Sequence, residues 1–522
     1  MKKLSALFIA MFIAVSIFAQ SPIEKGLESI KMPVIKAQLE FLSSDWMEGR
    51  EIGERGELLS SDYIASIMKS YELEPYKSSY FQEFTVVNYK KSKDQKFTII
   101  KNGKNHKEEI VLSNETDFMI EGGRISKNLL GNLVFVGYGL KLPKLKYDDF
   151  KGLDLKGKFL VKFNGYPGFK NKGSELHKKF APKNRAESRK YYNQIYKIAK
   201  EKGALGIITI VPEKGINYHV KKSVERYKSK MYEGDKPLKP FGSKRFYLAG
   251  RKFPNSLMTV AVSPRVGELL LRDVNIQTKN YFKGKVTKNN SKFIRGIKVN
   301  IHRKVDTKLV KCRNVAGVLK GKDTTQCIIV GAHYDHLGKY NGYVWNGADD
   351  NGSGVIGMLN IARAMKNSGV KPEKNIVFVA FTGEEKGLLG SRYFANKLDD
   401  PSKVKYMLNL DMISRDSKKD TLGNTCAMII KKHKKLRSYI EKANKDYNLE
   451  LKLKFWESEG TSGGSDHAPF AQRGIPFNFF WAGWHNDYHK PTDEIEKINW
   501  DKMLKLTKLG FIHVYMIDKD GL

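Results

Sequence analysis

The hydrophobic pattern of the chain changes from helical near the N-terminus to alternating strand and helix near the C-terminus. Residues 30–42 and 57–71 repeat apolar side chains every three or four positions, which predicts two amphipathic helices. From Asn314 onward the predicted order is strand 327–331, helix 354–365, strand 375–381, helix 388–398, strand 406–410, helix 436–447, strand 475–481 and helix 502–516. Such alternation is typical of parallel βαβ units with right-handed crossovers. We therefore expect an α/β fold with a mixed, mostly parallel sheet flanked by helices.

The middle of the chain has a different residue pattern, which predicts short strands separated by turn residues. Strands are expected at 131–137, 157–163, 207–211, 257–262 and 299–302, with one long polar helix at 186–202. Farther on, 313–320 and 325–332 have the pattern of a hairpin that turns near Lys322. That pairing would place Cys327 opposite about Leu319 and away from Cys312, so no disulfide is expected between the two cysteines.

Composition and charge limit the class of protein. The chain has 522 residues, enough for two or three compact units, and its three cysteines argue against a disulfide-stabilised fold. The formal net charge is +37. Because the lysines are spread along the whole chain without a nucleic-acid-binding motif, a solvated basic surface is favoured over a specific nucleic-acid site. Association with anionic cell-envelope surfaces is left open.

The N-terminus has the order of a secretory signal. Lys2 and Lys3 precede an apolar run at 4–18, and small residues follow at 19–21. The run is shorter than the roughly 20 apolar residues that span a bilayer. Cleavage is expected after Ala19 or Gln20, which predicts a secreted or periplasmic protein without a transmembrane anchor after signal removal.

Five side chains that could bind a metal lie after predicted strands or in Gly-rich loops: His333, Asp349, Glu385, Asp411 and His489. Taken alone, Asp349 is better explained as a helix cap than as a ligand, and a single histidine in a loop usually lies on the surface. Asp411 directly follows an apolar strand, where a buried carboxylate requires a cation or a hydrogen-bond donor. Together, these imidazoles and carboxylates form the mixed set that zinc accepts.

The same segments resemble peptidase family M28, the zinc-dependent aminopeptidases. The matching residues are His333-Tyr334-Asp335, Gly347-Ala348-Asp349-Asp350, Glu384-Glu385, Asn409-Leu410-Asp411 and Tyr488-His489-Lys490-Pro491-Thr492-Asp493. The resemblance runs from about Arg295 to the C-terminus and includes Glu48-Gly49-Arg50 near the N-terminus. It implies the zinc exopeptidase-like (phosphorylase/hydrolase) fold and two zinc ions per chain.

The resemblance also implies a role for each residue. Asp349 would bridge the two ions, with His333 and Asp411 on one ion and Glu385 and His489 on the other. Glu384 would be the general base for a zinc-bound hydroxide that removes N-terminal residues from peptides. Asp335 would orient His333. Tyr488 is a candidate oxyanion donor or a packing residue.

Three further residues near the predicted site are given lesser roles. Asp466 and His467 match a family segment that lines the pocket, and neither is expected to be a ligand. His485 is the alternative to His489 as fifth ligand, although the residues around His489 fit the family better. His336 is expected at the surface or beside a ligand.

A weaker similarity relates the middle of the chain to a protease-associated (PA) domain. Its cues are at 136–139, 147–150, 155–158 and 202–208. The predicted domains are the signal peptide 1–20, a first peptidase segment 21–117, the PA-like insert 118–292 and the main peptidase domain 293–522 with the two-zinc site. The Lys-rich stretch 170–202 is expected to be a polar surface, with a cover over the active-site mouth as its alternative.

Three other functions compete with this hypothesis. Gly460-Thr461-Ser462-Gly463-Gly464 matches the nucleophile elbow of serine hydrolases, with Ser462 as nucleophile. Glutaminyl cyclases resemble the family and use one zinc. Some relatives are receptors without metal ligands. The sequence does not decide which peptide is preferred. It also does not decide between aminopeptidase and carboxypeptidase action.

Overall fold

The computed structural model describes residues 20–102, 107–212, 216, 232–233, 236–237, 245–253, 256–340, 342–417, 425–430, 433–458 and 464–522. The predicted signal peptide, apart from Gln20, and the candidate nucleophile Ser462 lie outside these residues. The chain divides into two compact units. Unit 1 is drawn from Met1–Val86, Gly234–Lys244 and Val310–Leu522, and unit 2 from Val87–Glu233 and Arg245–Leu309.

The helices and strands are numbered in chain order. The helices are α1 (Pro22–Ser29), α2 (Met32–Leu42), α3 (Arg55–Ser70), α4 (Glu175–Phe180), α5 (Arg185–Glu201), α6 (Pro264–Leu271), α7 (Thr278–Phe282), α8 (Gly354–Asn367), α9 (Leu389–Asn396), α10 (Lys434–Asp446), α11 (Ala468–Ala471) and α12 (Trp500–Asp520). The strands are β1 (Glu74–Pro75), β2 (Phe81–Lys91), β3 (Lys96–Asn102), β4 (Lys107–Val111), β5 (Phe118–Glu121), β6 (Lys127–Phe135), β7 (Lys141–Leu142), β8 (Tyr147–Asp148), β9 (Lys158–Phe163), β10 (Gly206–Ile210), β11 (Tyr232–Glu233), β12 (Lys236–Pro237), β13 (Phe246–Leu248), β14 (Met258–Val262), β15 (Lys292–Arg303), β16 (Val305–Leu319), β17 (Asp323–His333), β18 (Gly338–Tyr340), β19 (Tyr343–Trp345), β20 (Lys374–Phe381), β21 (Val404–Leu410), β22 (Thr425–Ile430), β23 (Leu453–Ser458) and β24 (Phe477–Trp481).

A mixed sheet with helices on both faces forms the core of unit 1. Its central strands follow the order β2-β16-β20-β17-β21-β24-β22-β23, and β20, β17, β21 and β24 are parallel to one another. Parallel strands are covered on both faces and therefore read as continuous apolar runs. Along β20, Ile376 and Phe378 pack into one core with α2, α8 and α12, whereas Val377 and Val379 pack into a second core with α9 and α11. The predicted α/β architecture is confirmed.

The predicted hairpin at 313–332 is wrong. Strands β16 and β17 are not neighbours, because β20 lies between them, antiparallel to β16 and parallel to β17. Leu319 is thus opposite Ile376, and Cys327 is opposite Asn375. Residues 376–381 are apolar and buried on both faces, which is the composition of a central strand. Cys312 and Cys327 carry free thiols.

Unit 2 is built on a separate sheet with the order β4-β3-β15-β6-β9-β10-β14-β5. Its middle strands β6, β9, β10 and β14 are parallel, and the other pairs are antiparallel. The predicted insert at 118–292 lies within the outer limits of this unit, and its PA-like identity and boundaries stay predictions. No helix in the described ranges of either unit is long and apolar enough to cross a membrane.

Candidate metal centre

The carboxyl ends of neighbouring strands in unit 1 supply the side chains of one site. Strand β17 ends at His333, Asp411 directly follows β21, and Glu385 lies in the loop after β20. The loop after β24 carries His489. Because the carboxyl ends of parallel strands lie at one edge of a sheet, these four predicted ligands are brought together there.

We define the first cluster as His333, Asp350 and Asp411. Nε2 of His333 lies 3.5 Å from Oδ1 of Asp350 and 3.4 Å from Oδ1 of Asp411. All three side chains are buried. One imidazole and two carboxylates at these separations are a donor set for a single zinc ion.

We define the second cluster as His336, Asp350, Glu385 and His489. Nε2 of His489 lies 3.2 Å from Oδ2 of Asp350 and 3.1 Å from Oε2 of Glu385. Nδ1 of His336 lies 2.9 Å from Oε1 of Glu385 and 3.8 Å from Oδ2 of Asp350. Asp350 therefore presents one oxygen to each cluster, which is the arrangement of a carboxylate between two cations.

The structure corrects the predicted bridging residue by one position. Asp349 is not in either cluster, because its Oδ1 accepts hydrogen bonds from N and Oγ of Ser414 and from Oγ of Ser353. Its Oδ2 lies 3.2 Å from Nε2 of His485. The two adjacent aspartates thus face different histidines, and His485, the alternative fifth ligand, lies beside Asp349.

Backbone geometry separates the two aspartates. Asp350 has non-helical dihedral angles, φ −104° and ψ 92°, within the short helical turn Ala348–Ser353. The N–H groups of Asp349 and Asp350 both donate to the carboxylate of Asp493, at 3.2 Å and 3.0 Å. Asp493 thereby fixes the loop so that the side chains of Asp349 and Asp350 point in different directions.

Asp335 contacts both His333 and the predicted base. Nδ1 of His333 lies 3.1 Å from the backbone oxygen of Asp335, and 3.8 Å from its carboxylate. Oδ1 of Asp335 accepts the N–H of Glu384 at 3.0 Å. Asp335 thus orients the imidazole mainly through its carbonyl, and its carboxylate positions the backbone of Glu384.

Arg50 was not predicted as a site residue, and it is wholly buried behind the two clusters. Its guanidinium donates to the carbonyl oxygens of Tyr334 (2.7 Å), Leu42 (2.9 Å), Asn346 (2.6 Å) and Gly347 (2.9 Å). It therefore ties the segment after His333 to the loop before Asp350. The sequence signal was Glu48-Gly49-Arg50, which matched the family without an assigned role.

Ser465 is a second contact that the sequence did not reveal. Its Oγ donates to Oδ2 of Asp411 at 2.6 Å and accepts a hydrogen bond from Nδ2 of Asn409 at 2.8 Å. This relay fixes the carboxylate of Asp411 in the first cluster. Asp466 beside it is wholly buried, and the ring of His467 stacks between Phe477 and Phe479 at centroid distances of 4.7 Å and 4.8 Å.

Aromatic rings lie beside the second cluster. The ring of Tyr488 stacks on His489 at a centroid distance of 3.8 Å, and Trp484 packs edge-on against Tyr488 at 4.4 Å. Trp481 continues the row at 5.1 Å from Trp484. Trp484 is half exposed, so the row forms an apolar wall that leads from solvent to the cluster.

Opposite charges pair within the clusters. Burial opposes protonation of His333, but Asp411 outweighs it and raises the pKa of His333 well above its usual value. Likewise, burial lowers and Glu385 raises the pKa of His489, with a net rise to about 10. Burial raises the pKa of Asp335 to about 7 and that of Glu384 well above its usual range, although His333 opposes both shifts.

The donor chemistry fits zinc. Oδ2 of Asp350, Oε1 of Glu385 and both ring nitrogens of His336 are buried and have no hydrogen-bond partner within the described residues. Buried polar atoms without partners are costly unless something else satisfies them. Imidazole nitrogens and carboxylate oxygens that converge in this way are ligands that zinc binds.

Comparison with known proteins agrees with this chemistry. Residues 314–511 match the model of peptidase family M28. The aminopeptidase YwaD of Bacillus subtilis (strain 168) is 31% identical over 214 residues, which cover 39% of this chain and 44% of that protein. Leucine aminopeptidase 2 of Trichophyton rubrum is 29% identical over 217 residues, 36% of this chain and 41% of that protein. The chain thus spans less than half the length of these two relatives.

The fold is also found among solved structures. An aminopeptidase from Aneurinibacillus sp. strain AM-1 aligns over 95% of this chain and 95% of its own, with a TM-score of 0.50 and 21% identity. That likeness concerns the fold. Residues 314–511, which match the model of peptidase family M28, supply every donor of both clusters.

Proposed function

We propose that this protein is an exported zinc aminopeptidase that binds two zinc ions per chain and hydrolyses the N-terminal residue from peptides. The observation that carries the proposal is the position of Asp350, with one carboxylate oxygen facing His333 and the other facing His489. The relatives named above are aminopeptidases. Export rests on the N-terminal sequence pattern.

Zinc ions held in the two clusters supply Lewis-acid polarisation of the peptide carbonyl and activation of water. The chain's own residues hold this site in shape. His333 is fixed by the carbonyl of Asp335, and Asp411 by Ser465. Arg50 fixes the backbone between the two clusters. The reacting groups are therefore positioned before a substrate arrives.

Glu384 is the proposed general base. Its backbone is fixed by the carboxylate of Asp335. Burial raises its pKa well above the usual range, and a carboxyl with a raised pKa is a stronger proton acceptor in its ionised form. It takes a proton from the attacking water and returns it to the leaving amine.

Tyr488 is the proposed donor to the developing oxyanion. Burial raises its pKa further above 10, so the hydroxyl keeps its proton at neutral pH. Its ring lies against His489 and is partly exposed. A hydroxyl that stays protonated beside the site can donate a hydrogen bond to negative charge on the substrate.

The test uses aminoacyl anilides with a free or a blocked N-terminus. We expect hydrolysis of the free substrates, loss of activity with a chelator and recovery with zinc. Hydrolysis of blocked substrates alone would refute aminopeptidase action. Cyclisation of an N-terminal glutamine on the intact peptide with release of ammonia, together with one zinc per chain, would identify a glutaminyl cyclase. Inactivation by an organophosphorus reagent alone would identify a serine hydrolase that uses Ser462. Zinc binding without any hydrolysis would favour a receptor.

A further inference from the structure

His336 has no role among the predicted ligands, yet it is wholly buried at the second cluster. Its Nδ1 is 2.9 Å from Oε1 of Glu385, and neither atom has hydrogen-bond geometry with a partner in the described part of the chain. Such proximity is expected of two atoms that face a common cation.

The separations within the second cluster agree with one tetrahedral ion. Zinc–ligand bonds of about 2.0–2.2 Å place neighbouring donors of a tetrahedron about 3.3–3.6 Å apart. Four of the separations in the second cluster are 2.9, 3.1, 3.2 and 3.8 Å, which fall on both sides of this range and within about 0.4 Å of it. The first cluster has three donors, with separations of 3.4 and 3.5 Å.

The surroundings of His336 hold its ring in place. A side-chain carbon at Gly347 would lie 2.6 Å from Cδ2 of His336, and Gly347 has a positive φ of 53° that favours glycine. The backbone N–H of His336 donates to the carbonyl of Arg50 at 3.2 Å. The ring therefore fits against a glycine. The backbone of His336 is hydrogen-bonded to Arg50, the residue that ties together the backbone segments of both clusters.

We propose that His336 is a zinc ligand, which gives the second cluster four protein donors and leaves the first cluster with three. This inference rests on the proposed two-zinc function. Four donors complete the tetrahedral set of a closed site, whereas three leave one position for water or substrate. The second site thus holds its ion more tightly, and the ion in the first site exchanges more readily.

Chelator competition on purified protein tests the asymmetry. Wild type is expected to lose one zinc at low chelator concentration and the other only at much higher concentration. His336→Gln is expected to weaken the tighter step by about 100-fold or more, because loss of a group that only supports a ligand already costs 10–100-fold. His485→Gln is the matched control, since His485 faces Asp349 and is expected to leave both steps unchanged. Equal release of the two ions by wild type would overturn the proposal.

X-ray absorption at the zinc edge shows whether His336 binds zinc itself or only contacts the ligand Glu385. Wild type is expected to show three imidazoles for two zinc ions, and His336→Gln two. Two imidazoles in wild type would overturn the proposal, and this spectrum decides the question even where the variant does not fold. Two bound zinc ions without peptide hydrolysis would instead contradict the proposed function while leaving the ligand assignment in force.

Discussion

Asp350 in unit 1 and Asp149 in unit 2 are both buried carboxylates, but their surroundings differ in kind. Oδ2 of Asp149 accepts the N–H groups of Tyr138 and Leu140 in its own loop, while its buried Oδ1 has no hydrogen-bond partner within the described residues. Asp350 faces imidazoles on both sides, and its buried Oδ2 has no hydrogen bond within the described residues.

The difference shows what distinguishes a site from a structural charge. Burial raises the pKa of Asp149 to about 7 and lowers that of nearby Lys162 to about 8, so perturbed pKa values occur in unit 2 as well. Perturbed groups are candidates for function, but structural networks perturb pKa values too. Imidazole nitrogens and carboxylate oxygens come together at Asp350, and this combination is the more specific signal.

The largest expected effect is on catalysis in unit 1. Glu384→Gln removes the proposed base and keeps the shape of the side chain, so kcat is expected to fall by about 10²–10⁴-fold. Zinc content, measured by elemental analysis, is expected to stay at the wild-type level because Glu384 is not in either cluster. Asp149→Asn serves as the matched carboxylate-to-amide control in unit 2. Full activity of Glu384→Gln would end its assignment as the base.

The next effect is on stability through Arg50. Arg50→Met removes the donors to four buried carbonyl oxygens, each of which costs about 1–3 kcal/mol when left unsatisfied. We expect the free energy of unfolding of the metal-free protein to fall by about 3 kcal/mol or more, with weaker zinc binding. Denaturant unfolding measures the first change and chelator competition the second. Unchanged zinc affinity would show that Arg50 does not hold the two clusters in shape.

The last effect is the pH dependence of stability that Asp149 contributes, and it does not extend to catalysis. Its pKa rises from 3.8 to about 7 on folding, so its contribution to stability is fully present below about pH 3.8 and is lost as the pH rises through 7. Each unit of difference between the pKa in the folded and in the unfolded state is worth about 1.4 kcal/mol. Asp149→Asn is therefore expected to flatten the fall in unfolding free energy between pH 4 and 7 without changing peptide hydrolysis. The same slope in variant and wild type would contradict the shift.

Much of the site could be predicted from sequence because its residues follow strand ends. The apolar runs before His333, Glu385 and Asp411 identified central strands, and parallel strands bring their carboxyl ends together. The choice between Asp349 and Asp350 could not be made in this way. The two aspartates are the same residue type in the same loop. Their orientations differ because both N–H groups bind the carboxylate of Asp493, which lies far away in the sequence.

Long-range contacts account for the other failures. Arg50 acts on carbonyl groups nearly 300 residues away, and no local pattern marks a side chain that binds backbone. The hairpin at 313–332 failed because adjacency in sequence suggested pairing of β16 with β17, whereas the buried strand β20 lies between them. His336 lacked a signal of its own, since its partner Glu385 lies on another strand end.

Zinc stoichiometry of two neighbouring variants tests the central assignment most directly. Asp350→Asn and Asp349→Asn are to be loaded with zinc and analysed for metal per chain, with thermal unfolding as the check that both are folded. Two zinc ions are expected in wild type and in Asp349→Asn, and loss of zinc is expected from Asp350→Asn because both clusters lose a donor. Two zinc ions in Asp350→Asn, with loss from Asp349→Asn, would show that Asp349 and not Asp350 binds the ions.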